Sequence, residues 1–114
     1  MFRYLIAIGL LILATTMETA GDALVRMGLY DRVGLSRIPM LAVGAVLLFG
    51  YGLMLNLAPL PFERVVGLYI ATLFIIWQVV SYISFRAVPN MTILIGGAFI
   101  IVGGLIVSFG GAAE

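Results

Sequence analysis

Residues 4–25 read YLIAIGLLILATTMETAGDALV, an apolar run interrupted in its second half by two acidic residues, Glu18 and Asp22. As a helix rising about 1.5 Å per residue, this run is long enough to cross a hydrocarbon core of roughly 30 Å. It is too long and too polar for the short core of a cleavable signal peptide, and no small-residue cleavage site follows it. We therefore expect a mature transmembrane helix that carries two carboxylates.

The composition extends this expectation to the whole chain. Of its 114 residues, 64% are hydrophobic and only 10% are charged, whereas soluble domains run at about 25% charged. The mean hydropathy is +1.27. We predict an all-α membrane protein, a four-transmembrane-helix bundle with short loops that forms one domain over residues 1–114.

Prolines and polar stretches divide the chain into four apolar segments. We predict a first loop at Met27–Arg37, a tight turn at Ala58–Pro61 and a helix break near Pro89. The predicted helices cover residues 4–25, 38–57, 62–85 and 91–109. Short connections make neighbouring helices antiparallel, so both termini lie on the same side as the Pro59 turn.

The absence of cysteine and histidine and the small net charge argue against several classes of function. Cysteine and histidine are both absent, which argues against disulfides and the usual zinc, haem and iron-sulfur ligands. We predict no catalytic residue, no metal site and no cofactor, and hence no enzyme. All six basic residues are arginines and the net charge is +1, so there is no polybasic tract to hold nucleic acid.

The arginines favour one membrane orientation only weakly, and insertion in both orientations is permitted.

Glu18 is the strongest candidate for a functional residue. It lies about 21 Å along the first helix from Tyr4, where an ionisable group costs several kcal/mol and by default marks a transport or proton site. The alternative is a structural acid that bonds to a threonine or to another helix. Asp22 and Arg26 follow at steps of four and share its helical face with Thr15, so Asp22 is either a second functional acid or the partner of Arg26 in a local ion pair.

A carboxyl group in a low-dielectric cavity favours its neutral form, so it can hold a proton and surrender it to a cation. Competition between proton and cation for one site is sufficient for antiport. Because four helices rarely enclose such a cavity alone, a dimer that contributes one Glu18 from each subunit is the natural arrangement.

The third helix supplies further candidates. Glu63 and Arg64 read either as a capping acid beside a snorkelling arginine or as a cation at the cavity mouth opposite the acids of the first helix. Tyr69 and Trp77 are candidates to line a pocket. We expect Tyr82 to be an interfacial aromatic.

The fourth helix carries paired glycines seven residues apart. They are Gly96-Gly97, Gly103-Gly104 and Gly110-Gly111. Such glycines let helices approach closely in lipid. Gly97 and Gly104 are therefore predicted to form an association seam, either between subunits or within the chain.

These features resemble the small multidrug resistance family of the drug and metabolite transporter group, whose four-helix chains pair as dimers. The likeness covers nearly the whole chain in layout. It lies in Glu18 with Gly21 three residues later, in the proline at Pro59 before the third helix, and in the glycines from Gly97 to Gly104. The resemblance implies that Glu18 is the shared proton and substrate site, that the fourth helix is the dimer contact, and that the location is a prokaryotic inner membrane.

Two departures indicate a divergent branch of that family. Alignment on Pro59 puts Arg64 and Gly67 where the family's drug antiporters have a tyrosine and a tryptophan, and Asp22 replaces an uncharged residue. The leading hypothesis is a proton-coupled exporter, acting as a homodimer or with a similar four-helix chain, in which Asp22 is a second acid and Arg64 tunes or gates the site. The alternatives are a non-transporting subunit of a larger membrane complex and one half of a heterodimeric lipid-headgroup flippase.

Overall fold

The computed structural model describes residues 2–110, which form four long helices and a single 3₁₀ turn at Gly34–Ser36. The helices are α1 (Phe2–Tyr30), α2 (Arg37–Leu57), α3 (Phe62–Phe85) and α4 (Met91–Phe109). Each of these four is long and apolar enough to cross a membrane. The prediction of an all-helical fold with four segments long and apolar enough to cross a membrane is confirmed for the described residues.

The end of α1 differs from the prediction. The helix continues to Tyr30, so the prediction that the first loop begins at Met27 is wrong. Gly28 is buried, and a Cβ atom at that position would lie 3.1 Å from the side chain of Leu41 in α2. The glycine therefore permits close helix packing instead of a turn, which sequence pattern alone does not distinguish.

The helices pack side by side in the spatial order α2, α1, α3, α4. The molecule measures 55 × 34 × 18 Å, and its thin dimension is less than two helix diameters of about 10–12 Å. The starts of α1 and α3 meet where the Arg3 Nε donates to the Pro59 carbonyl at 3.2 Å. The end of α4 reaches the same side, where the rings of Tyr4 and Phe109 stack 4.9 Å apart.

Glycines and small side chains bring α1 and α2 together. Gly21 and Gly44 face each other so closely that a Cβ on Gly21 would lie 3.0 Å from the Gly44 carbonyl oxygen. On its other side α1 buries Leu11 against Val65 and Leu68 of α3. Because α1 is packed on both flanks, it has the largest buried share of the four helices.

Two glycines of α4, Gly97 and Gly104, are buried against α3 of the same chain. Gly104 meets Gly67 backbone to backbone, and the ring of Phe74 covers Gly97. These two residues therefore form the intrachain seam. They contact α3 of their own chain instead of the dimer partner predicted for them. Gly96 and Gly103 have open space beside them, and Gly111 lies outside the described residues.

The α3–α4 seam predicts a selective effect of adding one methyl group. We expect Gly67→Ala to lower the free energy of unfolding by about 1–3 kcal/mol, because its Cβ would overlap the Gly104 carbonyl and Ser108. Gly103→Ala is the matched control, since it adds the same group where nothing lies within 4 Å. Thermal unfolding in detergent micelles measures both, and equal melting temperatures for the two variants would contradict the seam.

Candidate functional site

Glu18 lies deep within α1, about 24 Å along the helix from Phe2 and about 18 Å from Tyr30. Its carboxylate contacts the hydroxyl of Tyr69 on α3, which lies 3.0 Å from one carboxylate oxygen and 3.1 Å from the other. Both side chains are half-buried. The structure thus brings together two of the residues predicted as site residues, and it gives Glu18 a hydrogen-bond donor on a neighbouring helix.

A second tyrosine extends this contact to α2. The hydroxyl of Tyr51 donates to the hydroxyl of Tyr69 at 3.3 Å, and the two ring centroids lie 6.0 Å apart. The result is a hydrogen-bonded chain from Tyr51 through Tyr69 to Glu18 that joins three helices. We call these three residues the Glu18 triad.

The threonines of α1 do not contribute to this chain. Thr15 donates to the Leu11 carbonyl at 2.7 Å, and Thr19 donates to the Thr15 carbonyl at 2.8 Å. Such bonds satisfy hydroxyls within their own helix and leave no donor for a neighbour. Of the two structural alternatives for Glu18, a threonine partner or a partner on another helix, the structure shows the second.

Asp22 and Arg26 share the Glu18 face of α1 but do not pair with each other. Among the residues that the structure describes, no ion pair joins them, and the guanidinium of Arg26 lies 5.3 Å from the ring centroid of Tyr30. Both residues line a cleft of about 410 Å³ between α1 and α3, which also includes Trp77. The local ion pair considered for Asp22 is therefore not formed.

Arg64 lies at the α3–α4 seam. Its Nη1 donates to the Ser108 carbonyl at 2.9 Å, and the Ser108 hydroxyl donates to the Arg64 carbonyl at 2.6 Å. Ser108 is fully buried, so this reciprocal pair fixes the start of α3 against the end of α4. The guanidinium thus points to α4, whereas the carboxylate of Glu18 is bonded to Tyr69, and the predicted opposition of Arg64 to the acids of α1 is not what the structure shows.

The Glu18 triad can accommodate either charge state of the carboxyl group. A phenol both donates and accepts hydrogen bonds, so Tyr69 can donate to an ionised Glu18 and accept from a protonated one. A protonated carboxyl group keeps a carbonyl oxygen that accepts, so Tyr69 can go on donating to Glu18 while it accepts from Tyr51, and the chain of hydrogen bonds persists in both charge states. The arrangement suits a group that exchanges a proton for a cation.

Sequence reasoning identified Glu18 and Tyr69 but missed Tyr51. The one available signal was a tyrosine between Gly50 and Gly52 in a helix that carries no charge after its first residue. A hydroxyl at that depth needs a partner in lipid. Which partner it finds depends on how α2 and α3 pack beside α1, and spacing along one helix does not encode that packing.

Comparison with protein-family models, with curated proteins and with solved structures finds no match to this chain.

The contact between Tyr69 and Glu18 predicts a measurable coupling. In a double-mutant cycle of Tyr69→Phe and Glu18→Ala, we expect a coupling energy of about 1–3 kcal/mol, since the lost bond involves a charge-capable group in a dry site. The cycle of Tyr82→Phe with Glu18→Ala is the control, because Tyr82 lies under the Arg86 guanidinium instead. Unfolding in detergent gives both values, and a Tyr69 coupling no larger than the Tyr82 coupling would rule out the contact.

Proposed function

We propose that this chain is a proton-coupled small-molecule exporter that acts as a dimer and exchanges protons for substrate at Glu18. The observation that carries the proposal is a carboxyl group about midway along a helix long and apolar enough to cross a membrane. Among residues 2–110 its hydrogen-bond partner is a phenol, which tolerates both of its charge states. An acid at such depth is costly and is characteristically functional. The proposal includes membership of a divergent branch of the small multidrug resistance family and a prokaryotic inner-membrane location.

The mechanism follows from what Glu18 can bind. A protonated Glu18 is neutral and hydrogen-bonded to Tyr69, so it is stable in the membrane interior. A cationic substrate that reaches the site stabilises the carboxylate instead, and the proton leaves. Because either the proton or the cation occupies the site, a conformational change that exposes it alternately to the two sides of the membrane couples their opposite movements.

A second copy of the chain completes the site in this proposal. The 18 Å thickness of the molecule leaves Glu18 and Asp22 half-buried on its surface, and a half-exposed carboxyl group is costly against lipid. A similar surface on a partner chain covers both acids and encloses a cavity between two copies of α1. Since Gly97 and Gly104 are used within the chain, the contact between copies involves other surfaces.

One observation favours the non-transporting subunit as a second candidate. The Tyr69 bond satisfies Glu18 structurally, which a membrane subunit without transport activity also requires. The flippase alternative depends on Arg64 meeting a phosphate, and the bond from Arg64 to Ser108 turns that guanidinium to α4. Purification of the native protein in mild detergent distinguishes the two leading candidates: a homodimer supports the exporter, and a stoichiometric larger partner supports the subunit.

The exporter predicts substrate-driven proton release from the purified protein. In weakly buffered detergent, we expect addition of tetraphenylphosphonium or a small quaternary ammonium ion, at a concentration high enough to saturate the site, to acidify the solution, because the cation displaces the Glu18 proton. Glu18→Gln should abolish the release, since an amide carries no exchangeable acid proton. A pH-sensitive dye measures the signal.

Glu63→Gln is the matched control for this experiment. Glu63 lies exposed in the first turn of α3, away from the triad, so its loss should leave proton release intact. Undiminished release or transport in the Glu18→Gln protein would contradict the proposal.

A further inference from the structure

A second polar site lies next to the Glu18 triad, in the cleft between α1 and α3. This cleft has a volume of about 410 Å³, and its walls include an acid, a base and two large aromatic residues. The residues that matter here are Thr19, Asp22, Arg26, Trp77, Ser81 and Phe85. None of these residues takes part in the hydrogen bonds of the Glu18 triad.

The two charges in the cleft are not neutralised by each other. Asp22 and Arg26 are separated by one helical turn, about 6 Å along α1, and among residues 2–110 no ion pair or hydrogen bond involves Asp22. The Arg26 guanidinium contacts the Tyr30 ring, which leaves its hydrogen-bond donors available. Thr19 donates to its own helix and therefore offers only its lone pairs. The cleft thus presents one anion and one cation on the same wall.

The position of the charges along the helix gives the cleft a direction. Arg26 is exposed and lies about 6 Å from the end of α1, near the depth of the lipid headgroups. Asp22 lies one turn deeper, and Glu18 one turn deeper again. A ligand that enters from the membrane surface therefore meets the cation first, then the anion, and then the neighbourhood of Glu18.

We propose that this cleft binds a zwitterion, with its amine on Asp22, its anionic group on Arg26 and its apolar body against Trp77 and Phe85. A ligand with a lone positive charge meets the repulsion of Arg26, and a ligand with a lone negative charge meets that of Asp22. Only a ligand that carries both charges neutralises both residues, which in a low-dielectric setting is the larger gain. Trp77 is 42% exposed and offers an apolar and aromatic surface.

This inference deepens the proposed function by naming its substrate class, and it rests on that function for the step from binding to export. A zwitterion in the cleft holds its amine within about one turn of Glu18, where the amine can compete with the proton. Two sources supply this chemistry, a free amino acid and the ethanolamine phosphate headgroup of a lipid.

Trp77 allows a direct test because it is the single tryptophan among the 114 residues. Tryptophan emission of the full-length protein in maltoside micelles, excited so that phenylalanine does not contribute, reports binding in the cleft. The probes are phenylalanine, phenethylammonium, phenylpropionate and glycerophosphoethanolamine. We expect a saturable change with at least one of the zwitterions and at least about tenfold weaker responses to the two singly charged compounds, from the loss of one charge-assisted bond.

Variants assign the response to the two charges. We expect binding to weaken by about tenfold or more in Asp22→Asn and in Arg26→Gln. The variants that keep the charges, Asp22→Glu and Arg26→Lys, should retain most of the binding. Arg86→Gln is the matched control, because Arg86 lies at the same end of the molecule over Tyr82 and does not line the cleft. Binding retained in the charge-conserving variants shows that the weaker binding of the neutral variants comes from the lost charge and not from a general loss of folding.

Each outcome decides the inference. Saturation by phenylalanine supports a free amino acid, and saturation by glycerophosphoethanolamine alone supports a lipid headgroup. Equal responses to phenethylammonium and phenylalanine, or zwitterion binding unchanged in Asp22→Asn and Arg26→Gln, would overturn it. Zwitterion binding that persists in Glu18→Gln, while neither the unmodified protein nor any variant releases protons, would support the zwitterion site and contradict the exporter. Proton release without zwitterion binding would contradict the zwitterion site alone.

Discussion

The hydrogen bond between Glu18 and Tyr69 satisfies the constraint on which the rest of the structure depends. A carboxyl group in the hydrocarbon region must find a polar partner or bear a cost of several kcal/mol. In this chain the partner comes from α3, and Tyr51 of α2 supports it in turn. Three helices are therefore fixed relative to one another by groups that an apolar bundle would not contain.

The packing of the helices serves this arrangement. Small residues draw α2 onto one flank of α1, and Leu11 meets Val65 and Leu68 on the other. The Gly67–Gly104 contact and the Arg64–Ser108 pair hold α4 against α3, at the far edge of the molecule from α2. The polar face of α1 consequently lies at the centre of a thin slab, where a second copy can cover it.

Much of the fold was predictable because it depends on local properties. Apolar length and the prolines near residues 59, 61 and 89 defined α3 and α4 within the same bounds that the structure has. The end of α1 was not predictable, since Gly28 indicates a turn in sequence and a helix contact in space. The acid of the site was evident from its cost in lipid, and Tyr69 was one candidate among several.

Contacts between helices account for the rest of what the sequence could not reveal. Tyr51 belongs to the site because the packing of α2 beside α1 brings its hydroxyl to that of Tyr69. Arg64 donates to Ser108 of α4 instead of to the acids of α1. The i, i+4 spacing of Asp22 and Arg26 permits an ion pair but does not require one. Each outcome depends on which neighbour lies within about 3 Å of a side chain, which a single helical pattern does not determine.

In the proposed mechanism, the Glu18 carboxyl itself gives up a proton when substrate binds. Infrared difference spectroscopy of the protein in lipid, recorded before and after substrate addition, observes that carboxyl directly. We expect a protonated-carboxyl band to be lost and a carboxylate band to be gained on addition, and we expect neither change in Glu18→Gln. Substrate binding without any change in those bands, or with the same change in Glu18→Gln, would contradict proton release from Glu18.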